Sequence, residues 1–440
     1  MPQLGHRREI VRLAVPAFLA LVAEPLFLLA DSAIVGHLGT APLAGLGVAS
    51  AVLLTAANLL IFLAYGTTAV VARRLGAGDA PGAVGAGMDG IWLAVLLGGL
   101  ATAVVALLAE PMAGAFGATD AAVGQAVTYL RVSALGLPGM VVVLAATGVL
   151  RGLQDTRTPL VVSVLGFTAN GVLSFLLVHP AGMGIAGAAW GTVIAQTAMG
   201  LTLVAVVVRG ARRLGAPMSF RPARVLRAAR DGVPLLVRTL ALRAVLLLTT
   251  AAAARTGEPQ LAAYQVSMTV WSALTFALDA LAIAGQALTG RYLGADDVAG
   301  ARRATATMVR WGVGFGAVLT VGLLAVHTVL PLAFSRDPEV IAALTAALVV
   351  VALSQPVSGV AFVLDGVLIG AGDARWLAWA QTAFLVAYLP MVGAVVASGV
   401  RGTDGLVWLW VAFTGWMGVR TAGLVWRARG TAWAVTGATR

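Results

Sequence analysis

Apolar runs too long for a soluble core set the terms for this chain. Ala101–Ala109 and Ala342–Leu353 hold no charged residue, and similar runs recur throughout the 440 residues. Only 11% of the residues are charged and 60% are hydrophobic, whereas a soluble domain carries roughly 25% charged residues. So few charges cannot cover a water-facing surface. A membrane-crossing helix needs about 20 mostly apolar residues, so the length accommodates about a dozen spans with short loops and no sizeable soluble domain. A β-barrel would alternate apolar and polar side chains at every second residue, which these unbroken runs do not. The expectation is an all-α polytopic membrane protein with the lipid bilayer as its solvent.

Gly, Pro and charge clusters divide the runs into twelve spans, near residues 12–35, 44–68, 88–109, 122–148, 159–178, 185–208, 233–254, 262–288, 304–330, 340–367, 376–397 and 405–426. Arg7-Arg8 flanks the first span rather than opening a cleaved signal. All 29 basic residues are Arg, and the net charge is +11. Placing both termini inside a bacterial cytoplasmic membrane puts most of them, including Arg73-Arg74, Arg151 and the run Arg209–Arg230, on inner loops. Only Arg255, Arg336 and Arg401 then fall outside, as the positive-inside rule requires. The basic balance is thus a topology signal, and no nucleic-acid partner is implied. Without Lys there is no Walker-A phosphate site. Without Cys there is no disulfide or thiolate metal site. His37, His179 and His327 lack metal-ligand companions, so no metal is expected. Hydrolase and metalloprotease motifs are missing, which argues against an enzyme.

A constant shift of 218 residues superposes the two halves. It carries Val15-Pro16 onto Val233-Pro234, Leu75-Gly76-Ala77 onto Leu293-Gly294-Ala295, and Pro138 onto Pro356. It also carries Asp155 and Arg157 onto Asp373 and Arg375, and Trp190 onto Trp408. Each half has six spans, so both enter the membrane with the same orientation. Two lobes related by a pseudo-twofold along the membrane normal follow, residues 1–208 and 232–440, joined by a cytoplasmic linker at 209–231. Such lobes around a central cavity are built like a secondary transporter.

Ionisable groups within spans are costly and become functional candidates by default. Glu24 and Asp31 share one face of the first helix. Pro16 and Pro25 accompany them, each removing a backbone hydrogen bond and permitting a hinge. A carboxylate taken out of water without a cation beside it holds its proton more tightly, the property a proton-coupling group needs. Asp279 and Gln286 lie on one stripe of the eighth helix, and Asp365 is on the tenth. Arg238, near a helix end, is expected to snorkel, while Arg131 and Arg243 fit either ion pairing or cavity lining. Asn170 and Ser174 share a face of the fifth helix, as Thr192 and Gln196 do on the sixth, either lining a cavity or gluing helices together.

The stretches Pro25–Gly47 (PLFLLADSAIVGHLGTAPLAGLG), Arg73–Asp79 (RRLGAGD), Leu150–Thr158 (LRGLQDTRT) and Gly184–Gln196 (GIAGAAWGTVIAQ) resemble the multidrug and toxic compound extrusion (MATE) transporters. Arg238–Leu242, Leu278–Ala287 and Asp365–Gly370 resemble the DinF-type branch. That resemblance implies a secondary active transporter, with alternating access and no cofactor. It would export amphipathic, cationic small molecules against an inward H+ or, alternatively, Na+ gradient, and act as a monomer. Asp31 matches the branch's cation-coupling acid, Pro16 its first-helix bend, and Asn170 and Thr192 its N-lobe cavity. Ser174 stands where the branch has Asp, a departure that removes one carboxylate. Asp279 and Asp365 match its C-lobe acids. A flippase for lipid-linked precursors shares the architecture and is the alternative reading, although it would call for a more cationic cavity.

Overall fold

The computed structural model describes residues 2–116 and 119–439, apart from the side chains of residues 2–7 and of Glu24. Among these residues there are fifteen α-helices, one 3-10 turn and no strand. They are α1 (Pro2–Gly36), α2 (Thr40–Leu60), α3 (Phe62–Gly76), α4 (Ala80–Gly114), α5 (Asp120–Ala134), α6 (Leu137–Gly152), α7 (Arg157–Val178) and α8 (Ile185–Leu214). The second half contains α9 (Pro222–Ala253), α10 (Glu258–Gly294), α11 (Val298–Val326), α12 (Pro338–Leu353), α13 (Gln355–Gly370), α14 (Ala374–Ala397) and α15 (Gly402–Arg429). Nine stretches are single helices long and apolar enough to cross a bilayer, with α2 and α3 reading through as one. The pairs α5–α6 and α12–α13 add two bent spans. At 28 residues α15 is also long enough, but Asp404, Arg420, Arg427 and Arg429 dilute its apolar character. Eleven of the twelve spans expected from the sequence thus qualify among the described residues, and α15 stands at the place of the twelfth.

Both bent spans turn at the same place in the repeat. α5 meets α6 at 53° and α12 meets α13 at 50°. Pro138 and Pro356 stand at the start of the second segment in each case, where a missing N–H costs nothing but the ladder behind it cannot continue. A close approach accompanies each bend. A Cβ on Gly98 would lie 2.5 Å from Pro138 Cα, and one on Gly316 would lie 2.7 Å from Pro356 Cα. Thr102 bonds the Ala134 carbonyl at 2.7 Å, and Thr320 bonds that of Ala352 at 2.6 Å. Asp79 and Asp297 cap α4 and α11 through the amides of Gly82 and Gly300. Each of these pairs is separated by 218 residues, so the duplication read from residue identities extends to individual hydrogen bonds.

Compactness divides the chain at the two pseudo-equivalent prolines. One unit comprises Met1–Ala14 with Pro234–Ala438, and the other Val15–Val233. The start of α1 belongs with the second half because Glu9 accepts from Arg291 at 2.9 Å and from Tyr292 at 3.1 Å. The Arg-rich segment read as a linker is largely the end of α8 and the start of α9. It is held to the first half by Arg224, 3.0 Å from Asp89, and by Trp92, which donates to the Met218 carbonyl at 3.0 Å. Asp155 and Asp373 occupy equivalent positions but do different work. Asp155 caps α7 through the amides of Arg157 and Thr158, whereas Asp373 pairs with Arg427 at 2.7 Å.

Candidate functional site

Within the Val15–Val233 unit, four helices converge on Asp31. Stacking of Phe27 on Phe167, with ring centroids 5.3 Å apart, sets α1 against α7 one turn before the acid. Asp31 is 3% exposed. Its Oδ2 accepts a hydrogen bond from the Tyr129 hydroxyl of α5 at 3.2 Å, and Ser174 is the other polar side chain beside the carboxyl. Its Oδ1 is buried and accepts none. No cation lies within ion-pair distance among the described residues. Burying a carboxylate without a compensating charge is expensive. Such a group gains free energy by taking up a cation.

The neighbouring polar side chains form a chain rather than a cage. Ser174 donates to Asn170 Oδ1 at 3.1 Å, and Asn170 donates to Thr192 Oγ1 at 3.4 Å. Thr192 in turn donates to the Ala188 carbonyl of its own helix at 3.1 Å. Asn170 and Ser174 are fully buried, one above the other on α7 as a spacing of four dictates. The structure thus brings Asp31, Asn170, Ser174 and Thr192 together. Gln196 lies one turn further along α8, half-buried, and is not hydrogen-bonded to them. Tyr129 went unnoticed in the sequence, where a lone Tyr on an ordinary helix carries no periodic signal. Pro16 and Pro25 both lie inside a continuous α1, and Pro16 is two residues from the point where the chain passes from one unit to the other. The side chain of Glu24 is outside the described residues.

In the second unit the acids are placed differently. Asp365 is buried on α13 and held by two arginines from other helices. Arg238 of α9 reaches both its oxygens, with Nε 3.2 Å from Oδ1. Arg420 of α15 lies 3.5 Å from Oδ2, and Gln381 of α14 donates to Oδ1 at 3.4 Å. Arg238 therefore does not snorkel. It is 6% exposed, because α13 and α15 bring a carboxylate and a second guanidinium to its side of α9. Asp279 is half-buried on α10, and Gln286 is buried two turns later. The Gln286 carbonyl abuts Gly370, so the α10 and α13 backbones nearly touch there. Of the two arginines left open, Arg131 pairs with Glu110 at 2.9 Å in an exposed position, and Arg243 is half-buried on α9. Asp89, in a predicted span but not singled out, is the buried partner of Arg224.

The 218-residue shift turns the Asp31 cluster into something else. Asp31 maps to Thr249, Asn170 to Tyr388 and Thr192 to Trp410. Thr249 and Tyr388 share a hydrogen bond of 2.7 Å, and Trp410 donates to Ser267 at 3.0 Å. Trp271 and Trp410 meet Phe413 edge to face and Trp416 meets it at a tilt, with centroids 5.2–5.4 Å apart. One half holds an unpaired carboxylate among hydroxyls and amides. The other has a packed aromatic wall and a carboxylate already matched by guanidinium groups.

Comparison with known proteins agrees with the duplicated fold. The family model MatE matches residues 16–176 and again residues 234–393, two starts that differ by the same 218. Protein DETOXIFICATION 44, chloroplastic, of Arabidopsis thaliana is 31% identical over 95% of this chain and 81% of its own length. Multidrug resistance protein PmpM of Pseudomonas aeruginosa is 26% identical over 84% of this chain and 79% of its own. A crystal structure of MATE in the bent conformation superposes with a TM-score of 0.88 at 22% identity, covering 97% of this chain and 96% of that one.

Proposed function

This chain belongs to the MatE family, whose members are multi-pass membrane transporters of drugs and metabolites and not enzymes, and on that premise we propose that it is a proton-coupled antiporter. It exports amphipathic small molecules from the cytoplasm by alternating access. It works as a monomer in a bacterial cytoplasmic membrane with both termini inside, and needs no cofactor. Asp31 carries the coupling cation. Asn170, Ser174, Thr192 and Gln196 line the N-lobe cavity, and Asp279, Asp365 and Gln286 the C-lobe cavity. Pro16 and Pro25 give α1 two accessible shapes.

The observation that carries this reading is the Asp31 carboxyl itself, buried with Oδ1 lacking a donor and with no cation in ion-pair distance among the described residues. A proton fits such a site: it neutralises the charge and turns one oxygen into a donor. Proton and substrate are then linked through whichever state each binds better. Pro16 and Pro234 supply the interrupted backbone ladders a rocking movement needs, each within two residues of a unit boundary. Asp365 enters the cycle already bound by Arg238 and Arg420, so a cationic substrate would meet little unbalanced charge there.

Efflux from proteoliposomes under an imposed ΔpH or ΔNa+, applied one at a time, tests the proposal. The wild type is expected to respond to ΔpH, and Asp31→Asn to lose that response while folding normally. Transport driven only by ΔNa+ would reassign the coupling ion. A fully active Asp31→Asn variant would remove Asp31 from the mechanism.

A further inference from the structure

In the proposed topology three arginines, Arg255, Arg336 and Arg401, stand on the Arg-poor face, and two of them line one cavity. This cavity of about 500 Å³ is formed where the end of α9 and the turn into α10 meet the end of α14 and the turn into α15. Arg255 and Arg401 line it together with apolar side chains, among them Ala252, Val395, Val396 and Val400. Both arginines are exposed, and neither makes an ion pair among the described residues. The acids nearest in sequence, Glu258 and Asp404, occupy the first turns of α10 and α15, where they answer the helix dipoles. The two turns are fixed to each other, since the Gly402 amide donates to the Thr256 carbonyl at 2.9 Å. Close packing of Gly405 against Val400 and Thr256 locks the same place.

Arginine on this face runs against the charge bias of the rest of the chain, so a pair of them in one cavity calls for a reason. The duplication does not supply it. Shifted back by 218 residues, Arg255 becomes His37 and Arg401 becomes Met183, so both cations belong to the second half only. A guanidinium presents a planar fork of donors that fits phosphate oxygens. The volume is that of a ligand pocket, and apolar walls shared with two cations suit a headgroup with its hydrocarbon attached.

We propose that this cavity binds an anionic phosphoryl group, presented by a lipid headgroup or as free phosphate. Native mass spectrometry of the purified full-length protein with phosphatidylglycerol or phosphatidylcholine, and thermal unfolding with added inorganic phosphate, distinguish the two sources. The wild type should retain phosphatidylglycerol about tenfold better than phosphatidylcholine. That preference should disappear in R255A/R401A and persist in R336A, whose arginine shares the face but not the cavity. Should the double variant fail to fold, R255A and R401A singly are each expected to weaken the preference severalfold relative to the wild type, and R336A to leave it unchanged. A phosphate-induced rise in Tm that depends on the same two arginines, without lipid preference, assigns the site to the free anion. Lipid retention and phosphate response both unchanged in the variants would overturn the proposal.

Discussion

Two hydroxyls, those of Tyr129 and Ser174, stand beside the buried Asp31 carboxyl. The Tyr129 O–H at 3.2 Å is the donor the carboxyl receives across the helix interface, and withdrawing a donor from a buried charged group costs about 1.5–3 kcal/mol. Tyr129→Phe is therefore expected to lower the thermal stability of the purified protein. The same change on an Asp31→Ala background, with no carboxyl left to serve, should cost at least about 1 kcal/mol less. Unfolding of the four proteins in one detergent measures this coupling, and strictly additive losses would show that the hydroxyl does not serve the carboxyl. Asp31 was legible because an acid inside an apolar run has few structural excuses. Asn170, Ser174 and Thr192 were legible because spacings of four place side chains on one helix face. Tyr129 and the ion pair of Arg238 were not, since each depends on a partner about 100 residues away that only tertiary packing brings close. A cation near a helix end looks alike in sequence whether it reaches water or, as here, a buried carboxylate on α13.

At the level of elements, bends decide where the helices touch. Pro138 and Pro356 stood out only as matching positions of the repeat, and the 122–148 and 340–367 runs read as single spans, because apolar composition does not register a change of direction. The break between α2 and α3 at Ile61 has neither Gly nor Pro to mark it and was invisible. What the bends demand appears in the glycines facing them. An added methyl at Gly98 or Gly316 must displace proline backbone, not the end of a flexible side chain. Overpacking of that kind costs roughly 1–3 kcal/mol. Gly98→Ala and Gly316→Ala should each lower the unfolding temperature by a similar amount. Gly99→Ala and Gly314→Ala, where a Cβ meets nothing within 4 Å, should be neutral or slightly stabilising, as Ala in an exposed helix usually is. Equal behaviour of all four variants would mean that the paired close approaches do not constrain the bends.

Across the whole molecule, two halves with one architecture have acquired different interiors. The repeat, the span count and the helical class could all be read from the sequence, because they rest on periodicity and on residues such as Pro, Gly and Asp whose backbone roles are strict. The division of labour between the halves was less legible, because it depends on what fills each inherited position. Thr249 stands where Asp31 stands in the first half, but Tyr388 and Trp410 replace Asn170 and Thr192 around it. Thr249 is already engaged with the Tyr388 hydroxyl at 2.7 Å, and the Tyr388 ring packs against Trp416 in the aromatic cluster. A carboxylate moved there would keep one phenolic donor and lose the Asn–Ser–Thr chain, in a site too closely packed to change shape. The double variant D31T/T249D, which preserves composition and net charge, is accordingly expected to reach the membrane and yet lose efflux driven by ΔpH in proteoliposomes, much as Asp31→Asn does. Efflux at the wild-type rate would mean that either half can host the coupling group, and that the polar chain around Asp31 is incidental to it.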